Sequence, residues 1–316
     1  MNRYVTIDGG TTNTRVSLVF GGEILDTVKI KSECDLSAYK AALKERITEI
    51  LDRNSLSETD VTRILATGTM ATSEIGLCPL SHLLAPVNIE GLKQASYETE
   101  IPEISGIPFV FVRGVKTPPD TLGSADMMRG EESEIMGLIA DNNEPGVYML
   151  MGSHTKMVRT DGEGSIVDIR TMLTGELIEA VSSNTILKHT VRLDAGTADR
   201  EYLKMGCDLC RERSVNEALF KVRILKNIFG ENDLKVYSFF LGAILWAEVK
   251  YLINSGTKRV LIGGNGHLKD ALSSLVSECT DIDVIILSDA AVEGSVSLGL
   301  VKIFEYRSKQ NETGNR

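Results

Sequence analysis

Apolar and polar residues alternate with period two over Tyr4–Ile7, Val16–Phe20 and Ile24–Ile30, and glycine-bearing turns separate the three runs. That pattern predicts an antiparallel, three-stranded opening. The period lengthens to that of a helix over Leu36–Arg53. It returns to strand at Arg63–Ala66 and Phe109–Val112, and is helical again from Gly130 to about Asp141. A second strand-rich block follows, with Val147–Met151, Lys156–Thr160, a glycine turn at Asp161–Gly164, and Ile166–Thr171. The remaining third reads as mostly helix, interrupted by strands at Arg259–Ile262 and Asp283–Leu287, and ends in a polar tail from Ser308. Each half thus opens with strand, small-residue loop, strand, without a close residue-level repeat. Turn formers cluster at Asn142-Asn143-Glu144-Pro145-Gly146, which marks a linker.

Composition narrows the function classes. The 316 residues, 42% hydrophobic and 25% charged, suit one large globular domain or two ordinary ones. A net charge of −10 argues against broad nucleic-acid binding, which draws its affinity from Lys and Arg on phosphates; one small anion in a local pocket is still allowed. No signal-peptide pattern and no apolar run near the roughly 18 residues of a membrane span are read, so no membrane partner is expected. Five cysteines at irregular spacing suit reduced thiols and a cytoplasmic location. Cys207-Asp208-Leu209-Cys210 lies in the charged, helical stretch Glu201–Phe220 without a second pair or nearby histidines. It reads first as structural, and second as an iron–sulfur or zinc site.

Four stretches carry the chemistry. Between the first two strands lies Asp8-Gly9-Gly10-Thr11-Thr12-Asn13-Thr14-Arg15. Two glycines let backbone N–H groups approach a polyphosphate, and the short side chains of Thr11, Thr12 and Asn13 add donors. Asp8 at the strand end suits Mg²⁺, which takes few carboxylates plus phosphate oxygens. An ordinary turn needs two or three such residues rather than seven, and a P-loop would require GxxxxGK[ST] entering a helix. The second stretch, Gly152-Ser153-His154-Thr155-Lys156, again lies between strands and offers small donors plus one cation for β- and γ-phosphates. The third, Gly263-Gly264-Asn265, follows a strand and precedes a helix, so a flat adenine or ribose can lie against bare backbone. The fourth, Arg129-Gly130-Glu131-Glu132-Ser133-Glu134, begins a helix. Its acids complement the helix dipole, and one of them could accept a proton from a sugar hydroxyl.

Taken in order, these elements resemble the sugar-kinase branch of the actin-like ATPase superfamily. MRGEE, the block GSHTKMVRTDGEG…IRTMLTGEL (152–177) and SFFLGAILWAEV (238–249) are similar to the 2-dehydro-3-deoxygalactonokinase family. The resemblance implies an α/β fold of two ribonuclease H-like domains with a central nucleotide cleft: 1–143 for phosphate and sugar acid, and 144–316 for nucleotide. Its last helix, about 289–307, would pack back at the domain junction. It implies ATP and Mg²⁺ as cofactors, and a small sugar acid as partner. A homodimer is allowed, not required.

Residue by residue, the resemblance assigns Asp8, Gly9, Gly10, Thr11, Thr12 and Asn13 to the first phosphate motif, with Asp8 serving Mg²⁺. It assigns Gly152, Ser153, His154 and Lys156 to the second, and Gly263, Gly264 and Asn265 to the adenosine loop. Relatives place an Asp base after the glycine that starts the connecting helix. Glu131 is therefore the first choice for the base and Glu132 the second. Arg129 is a candidate for the substrate carboxylate, with an ion pair to a neighbouring loop as the rival role. Thr69, Thr72 and Ser73 lie in a stretch expected near the sugar. Two positions depart from the family pattern: Gly9 stands where Trp is usual, and Thr67–Ser73 replaces a stretch more like AGMVGS.

The implied reaction is ATP-dependent phosphorylation of 2-dehydro-3-deoxy-D-galactonate to its 6-phosphate. The rivals are a kinase for another sugar or sugar acid, an iron–sulfur ATPase activase, and a nucleotide-dependent regulator.

Overall fold

The computed structural model describes residues 2–32, 35–139 and 144–307. Asn142 and Asn143 of the expected linker, the end of the helix read to Asp141, and the tail from Ser308 lie outside the described residues. Two compact units emerge. The first comprises residues 1–145, 159–169 and 290–316, and the second comprises 146–158 and 170–289. Residues 159–169 and the final helix from Ala290 onward group with the first unit; the expected boundary was 1–143 and 144–316, with the last helix packing back at the junction.

The first unit opens with β1 (Arg3–Gly9), β2 (Asn13–Phe20) and β3 (Glu23–Lys31), then α1 (Leu36–Arg53), β4 (Arg63–Thr67) and the single-turn α2 (Thr69–Thr72). Next come β5 (Leu83–Leu84), α3 (Ile89–Gln94), β6 (Tyr97–Ile101), β7 (Ser105–Phe111), β8 (Val115–Lys116), β9 (Met127–Met128) and α4 (Glu131–Leu138). The main sheet runs β3-β2-β1-β4-β7-β6, and β5-β8-β9 form a small separate sheet. β1 pairs antiparallel with β2 and parallel with β4, so Asp8 lies opposite both Arg15 and Thr67. On one face, Val5, Ile7, Val16 and Leu18 pack with Tyr39, Leu43 and Ile47 of α1.

The alternation in β1 and β2 predicts a solvated second face, yet Thr6 and Ser17 are buried as well. α10 (Asp289–Glu305) covers that face, with Thr6 Oγ1 2.8 Å from Ser297 Oγ and the Tyr4 hydroxyl donating to Glu305 at 2.8 Å. Small polar residues there admit a helix at close range and still satisfy its hydroxyls. α4 crosses α10 just as closely. A Cβ on Gly137 would lie 2.0 Å from Ser295 O, and one on Gly299 would lie 1.8 Å from Ser133 O.

The second unit repeats the plan. β10 (Gly146–Met151), β11 (Thr155–Thr160) and β12 (Ile166–Met172) lead into α5 (Thr174–Asn184), α6 (Arg200–Glu212), α7 (Val215–Asn227) and α8 (Asp233–Ser255). β13 (Arg259–Gly264), α9 (Gly266–Cys279) and β14 (Asp283–Ile286) complete it, in the strand order β12-β11-β10-β13-β14. β10 pairs parallel with β13, as β1 does with β4. α8 is long and apolar enough to cross a membrane by length and composition, against the sequence reading. However, 72% of its most apolar window is buried, and Phe240, Leu245 and Val249 pack in the core of this unit. It is a core helix whose stretch Val236–Leu245 is buried on every side, while Ala247, Lys250, Ile253 and Asn254 are exposed.

Candidate active site

In the first unit three backbone turns meet. Gly68 has φ +95°, and a Cβ there would lie 2.6 Å from Gly9 O; a Cβ on Gly130 would lie 3.4 Å from Gly68 Cα. Only glycine tolerates both the dihedral and the approach. This contact brings together the end of β1, the β4–α2 turn and the start of α4, and with them Asp8, Thr69–Ser73 and the acids of α4.

Around this contact the hairpin tip is braced from below. Ser32 Oγ donates to Gly10 O at 2.7 Å, and Thr14 Oγ1 is 3.0 Å from both Ser32 Oγ and the Tyr39 hydroxyl. Thr11, Thr12 and Asn13 remain exposed. Arg15 Nη1 lies 3.1 Å from Asp8 Oδ2. Burial raises the Asp8 carboxyl above the usual carboxylate range, and Arg15 opposes the rise.

The two candidate bases occupy different environments. Glu132 is fully buried: its Oε1 accepts from Thr67 Oγ1 at 2.6 Å, and its Oε2 accepts from Gly130 N at 2.8 Å. Burial pushes its carboxyl up to about 7, against the Thr67 hydrogen bond and with help from neighbouring Glu131. Glu131 is only half-buried, and its Oε2 accepts from Arg129 N at 2.8 Å. Glu134 joins the cluster, pushed up to about 8 by burial and by the negative charges of Glu131 and Asp8.

Arg129 does not present a free guanidinium. Nη1 donates to Thr72 O at 2.5 Å, Thr72 Oγ1 at 2.7 Å and Leu80 O at 3.2 Å, and Nη2 lies 3.4 Å from His82 Nδ1. Through Nη1 it clamps the segment after α2 to the start of α4, which is the rival role expected of Arg129, made by hydrogen bonds to backbone carbonyls. Thr72 is buried in the same clamp. Ser73 Oγ, by contrast, is sealed from solvent and has no hydrogen-bond partner. A buried hydroxyl of that kind suits a ligand oxygen.

In the second unit, Gly152, Ser153 and His154 form the β10–β11 turn, with Ser153 and His154 exposed. α5 supports this turn. A Cβ on Gly175 would lie 2.4 Å from Gly152 O, Glu176 N donates to Ser153 O at 3.1 Å, and His154 Nε2 lies 3.0 Å from Glu176 Oε1. Lys156 Nζ donates to Thr171 Oγ1 at 2.8 Å.

The glycine loop adjoins this turn. Gly264 has φ +96°, a Cβ there would lie 2.1 Å from Met151 O, and Asn265 N donates to that carbonyl at 2.8 Å. The Asn265 side chain caps α9 through Leu268 N, which lies 3.4 Å from its Oδ1. Beyond the loop, His267, Asp270, Ala271 and Ser274 of α9 line a pocket of about 470 Å³ together with Thr197 and Arg200.

The paired cysteines do not face outward. Cys207 and Cys210 are free thiols, 1% and 8% exposed, in the packing around α6 and α8. Among the described residues no group of three or more His, Cys, Asp or Glu converges on a metal position.

A sequence profile of the 2-keto-3-deoxy-galactonokinase family matches residues 8–298. The chain belongs to this family. It is 26% identical over 253 residues to the 2-dehydro-3-deoxygalactonokinase of Escherichia coli (strain K12), covering 78% of this chain and 79% of the relative. A candidate 2-dehydro-3-deoxygalactonokinase of Rhizobium meliloti (strain 1021) is 26% identical over 277 residues, covering 84% of this chain and 86% of that one. A Sinorhizobium meliloti crystal structure, described as a candidate for the same activity, superposes with TM-score 0.78 at 19% identity, over 95% of this chain and 97% of that one. The fold is that of the actin-like ATPases, and the chain is a sugar-acid kinase: a phosphotransferase with an alcohol acceptor that uses ATP.

Some residues of the candidate site had no local sequence signal. Thr67 and Gly68 stood out only as part of a departure from the family pattern, and their contacts with Glu132 and Gly9 join residues far apart in the chain. Glu248 on α8 sits in a quoted motif, but its apolar neighbours mark the stretch only as core. The pocket beside α9 is assembled from α9 and the segment preceding α6, which no periodicity connects.

Proposed function

We propose that this kinase phosphorylates the terminal hydroxyl of 2-dehydro-3-deoxy-D-galactonate, yielding the 6-phosphate and ADP. The observation that carries this reading is the meeting of Gly9, Gly68 and Gly130, which gathers Asp8, Ser73 and Glu131 around one point of the first unit. Glu131 takes the hydroxyl proton as the sugar oxygen bonds to the γ-phosphorus and the bond from that phosphorus to the β-phosphate oxygen breaks. Glu131 suits this role better than Glu132 because both oxygens of Glu132 already hold Thr67 and Gly130. Ser73 Oγ offers a partner to the sugar acid, and Arg129 keeps its segment in place.

In the first unit, the exposed Thr11, Thr12 and Asn13 offer donors to phosphate oxygens, and in the second unit the turn Gly152–His154, with Ser153 and His154 exposed, does the same. The pocket beside Gly264 and α9 receives the nucleoside. Asp8 is the residue that would hold Mg²⁺. Asp8, paired with Arg15 and with Glu134 near enough to feel its charge, fits an ion carried mostly by phosphate and water. When bound, that ion neutralises charge on the transferred phosphoryl group. The free thiols among the described cysteines support a reducing, cytoplasmic setting.

A second reading, a related 2-keto-3-deoxy acid as substrate, draws support from Thr67–Ser73, which departs from the family pattern. Coupled ADP release against a panel of 2-keto-3-deoxy acids decides between them. The galactonate is expected to give the highest kcat/KM; a tenfold preference for the gluconate epimer or another acid would replace the first reading with the second.

A further inference from the structure

Glu248 is 1% exposed on the core helix α8, beside Leu245 and Val249. A carboxyl group in apolar surroundings is costly unless hydrogen bonds compensate it, and a Leu or Met of similar volume would fill the same space without that cost. The hydroxyls of Thr174 and Thr155 compensate this group only in part. Its Oε1 accepts a hydrogen bond from Thr174 Oγ1, while its Oε2 is sealed from solvent without a partner. Packing therefore does not explain an acid at this position.

The hydroxyl chain attached to Oε1 leads elsewhere. Thr155 Oγ1 donates to Thr174 Oγ1 at 2.9 Å, and Thr174 donates onward to Glu248. Each threonine has a single proton to give, so a chain running in this direction must end on a group that accepts. Thr155 is the first residue of β11, directly after the turn Gly152–His154, and Thr174 is the first residue of α5. The next residue, Gly175, packs against the turn so closely that a Cβ there would lie 2.4 Å from Gly152 O and 2.8 Å from Ser153 Cα. Both threonines of the chain therefore adjoin the turn, Thr155 through β11 and Thr174 through α5. This links the two sequence blocks, MLTGEL and SFFLGAILWAEV, that the reaction itself leaves without a task.

We propose that Glu248 is a positioning residue for the second phosphate turn, setting Gly152–His154 through the hydroxyls of Thr174 and Thr155. The inference rests on the reading that this turn receives the β- and γ-phosphates. A purely structural acid would affect all nucleotides equally, whereas a positioning acid affects only those whose phosphates reach the turn.

The experiment measures ATP and AMP affinity by displacement of a fluorescent nucleotide, together with Tm, for Glu248→Leu, Glu248→Gln and Thr174→Val. Thr174→Val cuts the same chain with little change of volume and serves if Glu248→Leu fails to fold. Losing one hydrogen-bonded anchor is expected to weaken ATP about tenfold, with AMP changed less than about twofold. Glu248→Gln, which keeps an acceptor oxygen, is expected to stay within about threefold of the wild type. Equal losses for ATP and AMP, or unchanged ATP affinity in both Glu248→Leu and Thr174→Val, overturn the assignment.

Ser153→Glu tests the underlying reading separately, by setting a negative charge in the turn. If it leaves ATP affinity intact, the phosphate reading of the turn falls and the proposal with it. If it weakens ATP while the Glu248 and Thr174 variants do not, only the positioning role falls.

Discussion

Thr67 Oγ1 donates to Glu132 Oε1 at 2.6 Å, tying the end of β4 to the first turn of α4 across 65 residues of sequence. With the second oxygen held by Gly130 N, the buried acid fixes the helix start that carries Glu131. Adjacent glutamates thus differ: Glu132 is buried and holds the turn, while Glu131 is half-buried and accepts from Arg129 N.

The difference has a consequence for stability. Glu132 is held near 7 in the folded chain against an ordinary value of 4.5. The folded state therefore binds more protons than the unfolded state between those values, and its contribution falls as pH rises through that window. Glu132→Gln is expected to flatten the decline in urea-derived stability between about pH 4.5 and 7. Glu132→Ala leaves the Thr67 hydroxyl and Gly130 N–H unpaired and should cost roughly 2–4 kcal/mol. An unchanged pH slope in Glu132→Gln would count against the buried acid as its source.

Glu131→Gln is expected to lower kcat at least tenfold, within the 10²–10⁴ range of a general base. ATP affinity should stay near that of the wild type. Steady-state kinetics with separate nucleotide titration checks both, and near-normal turnover would pass the role to another group.

Asp8→Asn keeps the size and a hydrogen-bonding oxygen for Arg15 but removes the charge. The Mg²⁺ concentration for half-maximal rate should rise about tenfold, as expected for an ion that relies on few protein carboxylates. A Mg²⁺ titration identical to the wild type would separate Asp8 from the metal.

Gly68→Ala places a methyl group at φ +95° and 2.6 Å from Gly9 O. The strained dihedral and the overlap together should cost roughly 2–5 kcal/mol, with activity lost even where the fold survives. Denaturation and turnover measured on the same preparation test this. A stable, active variant would show that the three-glycine contact does not order the site.

Sequence alone determined the main strands, the long helices and the small-residue loops, but not the short elements β5, α3, β6, β8 and β9. Period-two runs ending in small-residue tips mark β1–β2 and β10–β11 because a strand's alternation and a turn's small residues are both local properties. The acids of α4 and the glycines after β13 were legible for the same reason. Tertiary structure decided what those residues do. Arg129 reaches Thr72, Leu80 and His82, remote in sequence, and so ties the segment after α2 to the start of α4. Thr6 and Ser17 are buried because the last helix returns to cover β1 and β2. Glu131 and Glu132, indistinguishable as neighbours in a string, were separated by burial and by Thr67, which depend on packing that brings distant segments together.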